Sequence, residues 1–183
     1  MANKQKTTRI LIAGFGGQGV LFVGKFLAYV GMAEDRQVSW LPSYGPEMRG
    51  GTANCSVILS DDPIGSPIVD APDVLIAMNL PSFQKYQDAV VPGGAIVLDS
   101  SLINEAYARK DITYFALPAT QMATDEQLDG LGNMILLGKF LEACLPTSGE
   151  LIQKALAKVV PAKKEHLLAA NQKAIALGRA HQG

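Results

Sequence analysis

A short apolar run, Arg9 to Ala13, stops at a glycine-rich hexapeptide, Gly14-Phe15-Gly16-Gly17-Gln18-Gly19, and a helical stretch from Gly16 to Val30 follows. No other feature narrows the choice of fold as much. A run of β-branched and aliphatic residues bounded by glycine reads as a strand buried on both faces, as in a parallel sheet. Val20, Phe22, Val23, Phe26, Leu27 and Val30 then make the helix apolar around most of its girth, so it too is buried, and Gly31 is the expected stop. Strand, tight turn and buried helix make the opening βα unit of an α/β domain.

The rest of the chain repeats the theme. Gln37–Leu41, Thr52–Ser60, Asp73–Met78, Ala95–Leu98 (ending at Asp99) and Ile112–Leu117 read as further strands, with a short helix over Pro81–Ala89. Thr52–Ser60 follows the second strand across only the stretch Pro42–Gly51, too short for a crossover helix, so an antiparallel placement is expected. Beyond Pro118 the pattern is helical. It includes Met134–Leu145, a helix over Leu151–Val160 preceded by a Thr147/Glu150 capping box, and a last helix from about Lys163 to Leu177. The fold expected is α/β: three-layer, with a mostly parallel Rossmann-like sheet, helices on both faces, one antiparallel strand and a helical C-terminus. It forms a single domain over residues 1–183, with residues 1–8 disordered.

Charge and cysteine usage exclude several functions. Sixteen Lys plus Arg against seventeen Asp plus Glu leave a net charge of -1, so no nucleic acid is expected as a partner. The longest uncharged stretch, Ile10 to Gly24, contains five glycines and is too short and too interrupted to span a bilayer, so a cytoplasmic protein with no membrane association is expected. Two cysteines, Cys55 and Cys144, cannot furnish a four-thiolate zinc or iron–sulfur site, and both read as buried free thiols. His166 and His181 read as surface residues, and no Cys–His or Ser–His arrangement stands out.

Two segments carry binding chemistry. Gly14, Gly16, Gly17, Gln18 and Gly19 fill a G-x-G-x-x-G pattern between a strand and a helix, where glycines let the backbone turn sharply and the helix N-terminus offers free N–H groups to an anion. Tight strand–helix packing alone and a generic anion site both explain them. The acid that should end the second strand and hold a ribose is missing, since that strand closes Trp40-Leu41-Pro42-Ser43. A stand-alone nucleotide-binding or NAD(P)-linked domain is therefore the alternative rather than the main reading. The second segment, Ser43-Tyr44-Gly45-Pro46-Glu47-Met48-Arg49-Gly50-Gly51, is expected beside the first at the carboxyl edge of the sheet. Ser43, Tyr44, Gly45, Arg49 and Gly50 are its candidate ligand contacts, with Arg49 able to fork onto a phosphate or carboxylate; a hairpin in which Glu47 and Arg49 pair is the other reading.

GFGGQGV at 14–20, PSYGPEMRGGTANCSVILSD at 42–61, PDVLIAMN at 72–79 and an Asn171/Ala174/Gly178 tail resemble the gamma subunit of 2-oxoacid:ferredoxin oxidoreductases, most closely those of the 2-oxoglutarate type. The resemblance implies an enzyme complex that decarboxylates a 2-oxoacid, passes the acyl group to coenzyme A and delivers two electrons to ferredoxin. Thiamine diphosphate and iron–sulfur clusters would sit on alpha, beta and in some cases delta subunits, and no cofactor on this chain alone. The gamma subunit would help form the coenzyme A side of the site and support assembly. No catalytic residue carries over. Isolated from its partners, the chain is expected to self-associate through Pro42–Gly51 or Ile64–Val69.

Overall fold

The structure is a computed structural model that describes residues 6–43 and 52–182. Six strands form one sheet in the order β2-β3-β1-β4-β5-β6. They are β1 (Thr7–Phe15), β2 (Gln37–Ser43), β3 (Thr52–Ser60), β4 (Val74–Ala77), β5 (Ala95–Asp99) and β6 (Thr113–Leu117). β1, β4, β5 and β6 run parallel, and β3 runs antiparallel to both β1 and β2. The expected α/β architecture with one antiparallel strand is what forms. One detail differs: β3 does not merely flank β2 but inserts between β2 and β1. β1 also begins at Thr7, earlier than the frayed start expected, because Thr7 and Thr8 pair with Ser60 and Leu59.

Along β1 the side chains alternate between two cores. Ile10 and Ile12 join Cys55, Val57, Ile76 and Val97 beneath α1 (Val20–Ala33) and α4 (Gly132–Ala143). Leu11 and Ala13 join Leu75, Ile96 and Leu98 beneath Phe83 of α2 (Leu80–Tyr86) on the opposite face. A strand covered on both sides must be apolar at every position, which is why the run is continuous. Helices therefore lie on both faces, but unequally: α1, α4, α5 (Gly149–Val159) and α6 (Leu167–Ala180) share one, and α2 serves the other.

Helix boundaries depart from expectation for packing reasons. α1 starts at Val20, not Gly16, because Gly17 and Gly19 take positive φ values of 96° and 79°. It passes through Gly31 to Ala33, since Gly31 is wedged against Leu59 and Val38, where a Cβ would collide. The cap of α5 is Ser148, whose hydroxyl accepts from the Leu151 N–H at 3.3 Å, while Thr147 is buried and donates to the Leu145 carbonyl at 2.7 Å. A short helix, α3 (Ala119–Asp125), follows β6 directly. No described helix is long and apolar enough to cross a membrane.

Candidate functional site

The chain leaves β1 through α1 toward β2 on one side, and β4 through α2 toward β5 on the other. The crevice outside the carboxyl ends of β1 and β4 is thus the switch point at which open α/β sheets bind ligands. The glycine turn Gly14–Gly19 is there. Its curvature is set by the left-handed conformations of Gly17 and Gly19, which a side chain would strain. Gly14 must lack a Cβ for a different reason: Met78 and Val20 already crowd the position, at 3.0 and 3.1 Å.

Gln18 holds the turn in shape. Its Oε1 accepts from the Phe15 N–H at 2.6 Å and from Asn79 Nδ2 at 2.8 Å, and its Nε2 donates to the Met78 carbonyl at 3.1 Å. Asn79 in turn caps α2 through the Ser82 N–H at 2.9 Å. The Gln18 carboxamide is thereby occupied in tying β1 to β4, which makes it a support for the turn.

Beside the turn lies a cleft of about 220 Å³ lined by Gly17, Gln18, Met78, Asp99, Thr120 and Asn133. Asp99 is buried, and its carboxylate is engaged by neighbouring groups of the fold. It accepts from the Ser101 N–H at 3.0 Å, the Thr120 N–H at 3.0 Å and the Thr120 hydroxyl at 2.6 Å, so it caps the first turn of α3. Asn133 stands over Gly19 so closely that a Cβ there would land on its carboxamide. Among the described residues no side chain caps the α1 N-terminus, so its first-turn N–H groups are open to solvent or a ligand.

Gly14, Gly16, Gly17, Gln18 and Gly19 thus come together in one turn. Ser43 closes β2 on the same edge of the sheet, but β3 intervenes, leaving it about 10 Å from β1 across two strand spacings. It lines a separate groove with Asn54 and Tyr86. Tyr44, Gly45, Arg49 and Gly50 lie outside the described residues. The sequence reading missed Asn133, Thr120 and Asp99 as walls of the cleft. The signal for Asn133 was the Gly130-Leu131-Gly132-Asn133 run at the start of α4, a second glycine-rich helix start.

Cys55 is buried under α1 and Cys144 is half-buried at the end of α4, and desolvation pushes each thiol up to about 12. Among the described residues no His/Cys/Asp/Glu group could hold a metal ion.

A mostly parallel sheet with a glycine-turn cleft at its switch point defines a doubly wound α/β domain. Within that class the chain belongs to the pyruvate ferredoxin/flavodoxin oxidoreductase family, whose model matches residues 9–181. It is 38% identical over 93% of its length to ketoisovalerate oxidoreductase subunit VorA of Methanothermobacter thermautotrophicus, covering 35% of that protein. It is 32% identical to 2-oxoglutarate synthase subunit KorC of Methanocaldococcus jannaschii, over 87% of this chain and 88% of that one. The chain therefore spans about a third of its ketoisovalerate relatives but nearly all of the 2-oxoglutarate synthase subunit. Among solved structures, the gamma subunit of a keto/oxoacid ferredoxin oxidoreductase from Geobacter sulfurreducens superposes with a TM-score of 0.79 at 28% identity, over 93% of this chain and 95% of that one. The 2-oxoglutarate:ferredoxin oxidoreductase of Magnetococcus marinus, with 2-oxoglutarate, coenzyme A and succinyl-CoA bound, superposes with a TM-score of 0.85 at 26% identity, over 97% of this chain and 31% of that one.

Proposed function

We propose that the chain is a gamma-type subunit of a 2-oxoacid:ferredoxin oxidoreductase and that its glycine turn faces coenzyme A. The complex would convert a 2-oxoacid and coenzyme A into acyl-CoA and carbon dioxide, with two electrons passing to ferredoxin. The observation that carries the reading is the turn at the switch point, Gly14–Gly19, with an uncapped helix start behind it, in a chain of this family. Coenzyme A is the phosphate-bearing reactant of such a complex. Backbone N–H groups at a glycine turn bind phosphate without a charged side chain. Asp99 on the far wall sets the polarity of the cleft, so a phosphate belongs on the Gly17–Gly19 side.

The chain's own residues would bind and orient; among the described residues none is placed to move a proton or form a covalent intermediate. Two buried or half-buried cysteines, well apart in the fold and held protonated, do not fit an iron–sulfur cluster. Clusters and thiamine diphosphate are accordingly assigned to alpha, beta and, where present, delta subunits. For the 2-oxoacid we favour 2-oxoglutarate, because the relative matched nearly end to end is a 2-oxoglutarate synthase subunit. The higher identity to the ketoisovalerate subunit supports a branched-chain 2-oxoacid as the second reading.

The test is reconstitution. The pure chain, given either 2-oxoacid, coenzyme A, thiamine diphosphate and a viologen dye, should show no turnover. With partner subunits added it should support dye reduction, faster with 2-oxoglutarate than with 2-oxoisovalerate. Turnover by the chain alone would end the accessory-subunit reading, and a preference for 2-oxoisovalerate would select the second substrate.

A further inference from the structure

We propose that the open strip of sheet on the α2 side of β1, β3 and β2, running from Ile68 and Leu41 up to Phe15, seats the partner subunit that makes the acyl group. The identity of that partner rests on the coenzyme A reading, whereas the strip stands on its own geometry.

The strand register places the strip. Leu11 and Ala13 face the α2 side, and across from them on β3 stand Ser56 and Asn54, followed on β2 by Leu41 and Ser43. Phe15 continues the alternation two residues beyond Ala13, about 7 Å further along the strand. Three large apolar side chains stay uncovered here: Ile68 is 59% exposed, Leu41 39% and Phe15 38%. Such surface marks a contact site when it is continuous and rimmed by polar groups.

Below Phe15 a groove of about 280 Å³ opens, with Leu11, Leu41 and Ile68 as apolar walls and Asn54, Ser56 and Asp70 as polar ones. Its floor carries an unspent hydrogen-bonding group. Ser56 is only 8% exposed, and among the described residues nothing bonds its hydroxyl. Asp70 is exposed, and among the described residues no cation pairs with it. The groove therefore fits an apolar side chain from a segment that also brings a hydrogen-bonding group and a lysine or arginine.

Phe15 ties the strip to the glycine turn. Its N–H donates to Gln18 Oε1 at 2.6 Å, and its carbonyl accepts from the Gln18 N–H at 3.2 Å. With both backbone groups held, the ring is a preorganised anchor that loses little freedom on contact. Whatever covers Phe15 stands beside the coenzyme A cleft. Among the described residues none is placed to form a covalent intermediate, so the acyl group has to arrive from another chain at this edge. A second copy of this chain on the strip would bring no acyl donor and would block the approach.

The test uses the reconstituted complex. Phe15 is replaced by the photo-crosslinker p-benzoylphenylalanine, and the adduct is mapped by mass spectrometry. It should fall on the subunit that binds thiamine diphosphate. Hydroxyl-radical footprinting of the unmodified complex should show Phe15, Leu41 and Ile68 protected on assembly. Ile68→Lys, a change at an exposed position, should raise the chain concentration needed for half-maximal assembly about tenfold. An adduct on a subunit without thiamine diphosphate or on a second copy, no adduct at all, or labelling of the three residues that assembly leaves unchanged overturns the assignment. Failure of the coenzyme A reading looks different. The adduct and the protection would then persist while the coenzyme A constants of the complex ignore Gly17→Ala.

Discussion

Gly17 and Gly19 of one turn are required for different reasons. Gly17 needs a positive φ and has open space around it, whereas Gly19 needs a positive φ and also sits under Asn133. Alanine at position 17 should therefore cost only the backbone strain, about 1 kcal/mol. Alanine at position 19 should cost roughly 2–3 kcal/mol, because the Asn133 carboxamide must move as well. Urea unfolding of the two variants measures the gap, and equal losses would mean that Asn133 yields freely. Cys55 gives a pH signature. Its thiol is held protonated by burial, up to about 12 against an ordinary 9.0, with the nearby Trp40 drawing it only partly back. Below about pH 9 it adds nothing to the pH dependence. Above that the unfolded chain sheds the proton and the folded chain does not, so stability should fall by up to about 1.4 kcal/mol per pH unit. Cys144 is raised in the same way, so Cys55→Ser should about halve the cysteine contribution to that alkaline slope, in melts run from neutral to alkaline pH.

Among the elements, α4 and α6 make the closest helix pair. A Cβ on Gly138 would overlap the Ile175 carbonyl, and one on Gly178 the Ile135 carbonyl. Backbone meets backbone there, with no flexible side chain to give way. Each Gly→Ala change should destabilise by about 2–4 kcal/mol, despite alanine's better helix propensity. A neutral or stabilised variant in thermal melts would contradict this crossing. The contact also gives a physical reason for Gly178 in the tail pattern Asn171/Ala174/Gly178, all three of which are buried. Much of the element layout was legible in the sequence: each strand was found, and β3 was placed antiparallel from the shortness of its connection alone. The errors fell where tertiary contact overrides a local rule. Gly31 reads as a helix stop but is a packing notch against β3, and Thr147 has capping spacing but is buried while Ser148 caps. The glycine turn was legible because backbone needs are written in residue type. Its far wall was not, because Asp99, Thr120 and Asn133 meet only once the strands are ordered.

At the scale of the whole molecule, the two faces of the sheet are unequally covered, and the far face keeps apolar groups at its surface. Ile68 is 59% exposed and Leu41 39%, near the groove that also contains Ser43 and Tyr86, whereas Val69 is buried. Both lie in or beside the stretches expected to be sticky. A chain that works inside an assembly keeps such surface for its partners. Light scattering across concentration should show self-association of the isolated chain, and Ile68→Lys with Leu41→Gln should suppress it. A strict monomer throughout would argue against a large permanent interface on this face. The central claim, that the chain supplies the coenzyme A side of a 2-oxoacid oxidoreductase, is tested most directly by the kinetics of the reconstituted complex. Arg49→Ala, with Gly17→Ala as a companion in the described turn, should raise the KM for coenzyme A, by about ten- to a hundredfold for the arginine. The KM for the 2-oxoacid should stay unchanged. Complexes that assemble normally and keep the coenzyme A constant, or that lose affinity for the 2-oxoacid instead, would contradict it.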